Sequence, residues 1–256
     1  MSVGVTICSY ERPEFAEKCV KAVRKHLTDV VDHVVFVNDG SSAKHNGSYR
    51  RVQKAVQSFG GTYIGMDHNQ GVAAAKNIGL QFLLDRGCTT LFTLEDDIIV
   101  QSPKAVTEYI RIGKQTGLTH FSFAHHGDAN YSGPVDTDGD VEYYFHSIGA
   151  WCMFTADDLN KYGLLDENFV RAWEHVEHEL RLGCEPYRYP DIAHSADYLK
   201  EIPGSIERSS IRPLPDWQSR IREGLRYWAD NKPDTFKLLF GDGTPLQQYA
   251  QGILAQ

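Results

Sequence analysis

The first hundred residues alternate short β-rich runs with segments of helical spacing, and this constrains the fold more than any other feature. It is the pattern of βαβ units wound around a mainly parallel sheet. Val3 to Cys8, His33 to Val37, Thr62 to Gly65 and Thr90 to Leu94 are the strand candidates, each apolar or β-branched and each followed by a polar or Gly-containing stretch. Val52, Ala55, Val56 and Phe59 recur at i, i+3, i+4 and i+7 and predict a helix that Gly60-Gly61 stops. A second helix is predicted from about Val72 to Leu84, with Ala75, Ile78, Gly79 and Phe82 on one face and Gly87 closing the segment. Arg12-Pro13 opens a third, because proline suits a first helical turn.

Further along, Gly127 to Asp140 is rich in Gly, Asp, Asn, Ser and Pro and is expected to be a surface loop. Thr155-Ala156-Asp157-Asp158 reads as a capping box with Asp in place of Glu, and the helix it starts should close at Gly163. Another helix is predicted around Trp173 to Leu182, ending at Gly183, and one from Trp217 to Ala229 bearing Ile221, Leu225 and Trp228. At 256 residues the chain can bury one full core. The expected organisation is a catalytic α/β domain over residues 1–200 and a small helical appendage, 201–256, packed on the same domain.

Lys+Arg 26 against Asp+Glu 34 gives a net charge of −8, a field that repels polyanions and leaves only a local basic groove as an electrostatic route to nucleic acid. The amino terminus runs into a strand without a basic n-region, and no apolar run approaches the ~20 residues that span a bilayer. Integral membrane contact is therefore not expected, and the scattered, odd-numbered cysteines (Cys8, Cys19, Cys88, Cys152, Cys184) suit a reducing, cytoplasmic location.

In open α/β sheets ligands collect outside the carboxyl ends of the strands, so the residues just after each strand should converge on one crevice. Those residues are Ser9 to Pro13 after the first, Asn38 to Ser41 after the second, and Glu95-Asp96-Asp97 after the fourth. Three consecutive acids between apolar Leu91 to Leu94 and Ile98 to Val100 require water or a cation. Their hard oxygens suit Mg²⁺ or Mn²⁺, ions that share their remaining positions with water and phosphate. A solvated acidic turn or helix N-terminus is the alternative.

The order and spacing of these pieces resemble the family 2 glycosyltransferases of the GT-A fold. The resemblance runs through Thr6 to Pro13, Val37 to Ser42, Asn69 to Gly79 and Leu94 to Asp97, then Ile148 to Phe154, Leu164 to Phe169 and Trp173 to Arg181. It implies a Rossmann-like, mainly parallel α/β sheet and a nucleotide-sugar donor, usually a uridine diphosphate sugar. By the same resemblance Thr6, Ser9, Tyr10 and Arg12 line the nucleotide pocket and Asp39 bonds the base. Asn69, Gly71, Lys76 and Asn77 face the donor, where family members commonly have arginine at the position of Lys76. Glu95, Asp96 and Asp97 stand for the Asp-x-Asp metal motif, with Asp97 the direct ligand of Mn²⁺ or Mg²⁺ and His194 a second one.

The Trp173 to Arg181 segment takes the place of the family's Glu-Asp motif, whose aspartate is the general base on the acceptor hydroxyl in an inverting displacement. Here His175 stands at that aspartate. Glu174, His175 and Glu177 are all candidates for the base, and pairing of these charges at i, i+3 and i+4 with Arg181 is the purely structural alternative. His125-His126 beside the Gly/Asp loop reads either as an acceptor contact or as a surface turn. A nucleotidyltransferase would carry a Gly-rich, Lys/Arg-bearing loop after the first strand, which is absent, and the spacing of His175, Glu177 and His178 does not meet that of zinc hydrolases. A catalytically degenerate protein that binds nucleotide or sugar is the other alternative. The acceptor, whether glycan, protein, small molecule or modified nucleobase, should be recognised by Gly127 to Asp140 and the appendage.

Overall fold

The computed structural model describes residues 1–170, 172–209 and 213–255. Its first half is β1 (Val3–Ser9), α1 (Pro13–His26), β2 (His33–Asn38), α2 (Asn46–Gln57), β3 (Thr62–Gly65), α3 (Val72–Leu84), β4 (Thr90–Glu95), β5 (Ile98–Val100) and α4 (Lys104–Thr116). The second half is β6 (Phe121–Ser122), β7 (Asp136–Asp138), β8 (Val141–Tyr144), β9 (Trp151–Thr155), α5 (Ala156–Tyr162), α6 (Glu174–Arg181), β10 (Tyr189–Ile192) and β11 (Leu199–Glu201), followed by α7 (Trp217–Asn231), α8 (Pro233–Phe240) and α9 (Gln247–Leu254).

The central sheet runs β3-β2-β1-β4-β9-β6. β3, β2, β1 and β4 are parallel, and β9 enters antiparallel to both β4 and β6. Because helices cover both faces, these strands are apolar on both sides rather than alternating with polar residues. Val5, Ile7, Phe36 and Phe92 pack towards α1, α2 and α4, while Val35, Val37 and Leu91 pack towards α3 and α5. α3 lies close on β1 because Gly79 faces it: a Cβ there would stand 1.8 Å from Thr6 Oγ1.

Two smaller antiparallel sheets, β10-β8-β7 and β11-β5, accompany the central sheet. The expected loop at Gly127 to Asp140 is thus partly ordered into a hairpin. Asp136 to Asp138 pairs with Val141 to Tyr143, turning at Gly139 with φ +59°, although these strand residues are all polar and exposed on β7. Thr155 caps α5 as anticipated, its hydroxyl accepting the Asp158 amide at 3.2 Å. Beyond residue 200, α7 to α9 share one apolar cluster with residues before it, in which Leu225, Trp228, Leu239 and Phe240 meet Phe169, Val176, Leu180 and Tyr189. Among the described residues no helix is long and apolar enough to cross a membrane.

Candidate active site

The carboxyl ends of β1, β2 and β4 open into one cleft lined by Ser9, Tyr10, Arg12, Asp39, Asn69, Gly71, Glu95 and Asp96. The parallel register places these residues together: Ser9 lies opposite Asn38 on one side, and Cys8 opposite Glu95 on the other. Asp39 shapes one wall. Its carboxylate accepts the Asn69 side-chain amide at 2.7 Å and the backbone N–H groups of Gln70 and Gly71 at 2.8 and 3.1 Å. Gly40, with φ +63°, lets this turn approach, since a Cβ there would stand 2.0 Å from the backbone of His68.

The acids form the floor. Asp96 and Asp97 are 0% and 3% exposed, and both are bound by the Arg12 guanidinium, through Nη2 to Asp96 and through Nη1 to Asp97 at 3.0 Å. Ser9 Oγ donates to Asp96 Oδ2 at 2.5 Å and is shared with Tyr49 OH at 2.8 Å. Burial pushes Asp96 up, Arg12 pulls it back and Asp97 adds to the rise, for a value of about 7. Burial also acts to raise Asp97, but His126 and Arg12 outweigh it and hold the carboxyl at about 2. His126 Nε2 stands 3.5 Å from Asp97 Oδ2.

Asp97 Oδ1, in contrast, is buried and has no hydrogen-bond partner. An orphaned carboxylate oxygen carries a desolvation penalty of ~1–3 kcal/mol or more that a cation would offset. Mg²⁺-type ions are held by one or two carboxylates with substrate phosphates and water completing the shell, so this oxygen fits such an ion. Among the described residues no group of three or more His, Cys, Asp and Glu side chains forms a protein-only metal cage.

Three of the residues expected around the donor lie elsewhere. Thr6 is 1% exposed in mid-strand beneath α3, because the alternation of β1 turns it onto the helix-covered face. Asn77 faces away from the cleft: its side chain donates to Leu165 O at 2.8 Å and to Glu167 at 2.9 Å, and it accepts the Leu165 amide at 3.0 Å. Lys76 is 1% exposed and spends its ammonium on the protein, reaching Glu95 at 2.8 Å, Gly149 O at 2.9 Å and Glu174 at 3.2 Å. A buried ammonium requires such partners, so Lys76 is a counter-ion within the wall and not an exposed hand for phosphate.

Lys76 leads directly to α6. Glu174 Oε1 also faces His175 Nδ1 at 3.2 Å, and His175 Nε2 stands 3.3 Å from Ser147 O. Burial works to raise Glu174, yet Lys76 and His175 bring it down to about 2. Burial works to lower His175, and Glu174 more than reverses it, leaving the imidazole above its usual value. Glu174 is therefore a fixed anion and His175 the titrating partner.

Glu177 is on the other side of α6, 0% exposed, held by Arg181 at 2.8 Å and by Lys232 from the chain beyond α7 at 2.7 Å. It ties α6 to the C-terminal helices and does not reach the cleft. The structure does not bring His194 to the acids either. It caps a short 3-10 turn, exposed and at φ +62°, where β10 leads into β11. β11 pairs with β5 so that Ile202, eight residues later, is what reaches Asp97, its amide donating to Asp97 O at 2.7 Å. His126 takes the place beside Asp97, and only the adjacency of His125-His126 to a polar loop hinted at it. Tyr49 gave no signal, since its spacing on α2 is that of a core residue.

Residues 4–112 match the family model Glycosyl transferase family 2. That segment runs from β1 into α4 and contains the whole acid floor and the Asp39 turn, so the match covers residues that build the cleft. No curated protein matches the chain. Among solved structures it is similar to the mannosyltransferase PcManGT from Pyrobaculum calidifontis in complex with GDP-Man and Mn²⁺, with a TM-score of 0.64 and 13% identity over 99% of this chain and 72% of that one. S. aureus TarS 1-349 gives a TM-score of 0.57 and 12% identity over 100% of this chain and 80% of that one. GalNAc-T7 with UDP, GalNAc and Mn²⁺ gives 0.61 and 12% over 92% and 50%. The shared feature is the fold: this chain has the GT-A architecture of glycosyltransferases.

Proposed function

We propose that the chain transfers a sugar from a nucleoside-diphosphate donor to an acceptor hydroxyl, with His175 as the general base. The observation that carries this reading is the cleft at the carboxyl ends of β1, β2 and β4, where a family 2 segment gathers the Asp39 turn and the acid floor. The class of donor is supported by GDP-Man in PcManGT and by UDP in GalNAc-T7. A uridine diphosphate sugar is the donor that the sequence resemblance favours.

Asp97 would hold Mn²⁺ or Mg²⁺ through Oδ1, and the ion would neutralise charge on the departing diphosphate. Arg12 keeps Asp96 and Asp97 in place and places a positive charge on the same floor. On the acceptor side Glu174, fixed by Lys76, orients the His175 ring through Nδ1, and Nε2 takes the acceptor's proton once the acceptor hydroxyl replaces Ser147 O, its partner at 3.3 Å. Glu174 itself, near 2, is too weak a base to contribute. In the transferase reading, displacement at the anomeric carbon inverts its configuration.

A panel of UDP-, GDP- and dTDP-sugars with and without Mn²⁺, followed by thermal shift and donor turnover, tests the reading. Saturation at ~100 times Kd stabilises by about 2.7 kcal/mol, or roughly 5–10 °C for a chain of this size. One nucleotide series should produce that shift together with sugar release or transfer. Stabilisation without turnover on any acceptor would make the chain a nucleotide-sugar binding protein, and no shift with any donor would overturn the reading.

A further inference from the structure

A second cleft, of about 250 Å³, reaches His175 at the end of the Lys76–Glu174–His175 chain and is lined by the loop preceding β9, the start of α6 and the C-terminal helices. Its walls include Phe145, Ser147, Trp173, His175, Trp217 and Tyr249. The rings form broad apolar faces: Phe145 stacks on Tyr187 with centroids 4.8 Å apart, and Trp173 meets Tyr249 edge-on at 6.1 Å. Two residues of these walls also carry polar atoms that the protein leaves unsatisfied. Ser147 Oγ, on a residue 8% exposed, and Trp173 Nε1 are both buried without a hydrogen-bond partner. Among the described lining residues none is Lys, Arg, Asp or Glu, and burial lowers His146, which favours its neutral form.

We propose that this cleft is the acceptor site and takes an uncharged sugar ring, so that the acceptor is a glycan or glycoside; the assignment rests on the glycosyl-transfer reading above. A pyranose offers C–H faces to aromatic walls and hydroxyls at its edge to Ser147 Oγ and Trp173 Nε1, and His175 in the same wall is placed to take a proton from one of them. A polyprenyl chain would leave both polar atoms unsatisfied, at ~1–3 kcal/mol each. A nucleobase in a polynucleotide brings phosphates, for which the described lining offers no cation and the chain's net charge of −8 offers repulsion.

Saturation-transfer NMR on the full chain, with methyl pyranosides and their disaccharides at about 10 mM, tests this alongside nucleotide binding by thermal shift. The wild type should transfer saturation to the sugars. Ser147→Ala should weaken that binding about two- to tenfold, the value of one hydrogen bond, and Trp217→Ala should weaken it by about tenfold or more. Both should retain nucleotide-induced stabilisation, and Ser147→Ala should keep the wild-type Tm because its hydroxyl has no protein partner. Absence of sugar binding in a protein that binds nucleotide overturns the acceptor assignment and leaves the transferase reading standing. Undiminished sugar binding in both variants also overturns it, as does a Trp217-dependent signal from nucleosides in place of pyranosides. Sugar binding without nucleotide binding or turnover sinks the transferase reading instead and leaves a carbohydrate site.

Discussion

Glu174 and His175 are neighbours in the chain and differ in what they can do with a proton. Glu174 faces Lys76 and is locked as an anion, while His175 carries the titration and is raised by that anion. A base acts in its neutral form, so the rate should fall as pH drops through the His175 value, which lies above the ordinary 6.5. His175→Gln should lower kcat by about 10²–10⁴ and remove this acidic limb. Glu174→Gln, by taking away the charge that raises His175, should leave a limb that has moved to lower pH. A limb that survives in His175→Gln would assign the base elsewhere. Asp97→Asn should reduce turnover by about 10²–10³ as a main electrostatic element is lost, and near-wild-type rates in Mn²⁺ would remove Asp97 from the mechanism. The family resemblance pointed to the segment holding these residues, but could not choose among Glu174, His175 and Glu177. The choice depends on which side of α6 meets Lys76 and which meets Lys232.

Among the elements, those of the first hundred residues were the most legible. Val72 to Leu84 is helical as predicted, and the four parallel strands fall within a residue of their expected ends. Beyond α4 the pattern weakens because β6 and β7 have only two and three residues, too few to display a period. α6 shows how an element can combine chemistry with support. His178, one turn from Glu174, is 0% exposed and donates Nε2–H to Gly163 O at 2.9 Å. Burial, reinforced by Arg181, depresses it from 6.5 to about 3. Below about 6.5 the unfolded chain takes up a proton that folded His178 refuses, so stability is lost as pH falls from there towards 3, by up to about 4 kcal/mol in total. His178→Gln should flatten the decline of Tm between pH 6.5 and 4; a slope parallel to the wild type would place the acid sensitivity in other groups.

On the scale of the whole molecule, the C-terminal helices and α6 are held by a common core and a common ion network. Lys232 bridges Glu177 and Asp166, each at 2.7 Å, and Trp228 is buried against Phe169 and Phe240. Trp228→Ala should cost about 3–5 kcal/mol, and because α6 shares that core, donor turnover should fall together with stability. Turnover preserved in a markedly destabilised variant would show that α6 is positioned independently of the C-terminal helices. The sequence by itself determined the βαβ order, the parallel strands and the gathering of Ser9, Asp39 and Glu95 to Asp97 at one edge, because periodicity and strand-end chemistry are local properties of the chain. Only the tertiary structure decided that Lys76 and Asn77 serve the scaffold, that His126 and not His194 reaches Asp97, and that an aromatic cleft faces His175. Those outcomes depend on contacts between residues far apart in sequence, and the burial that settles each charge exists only once the elements have packed.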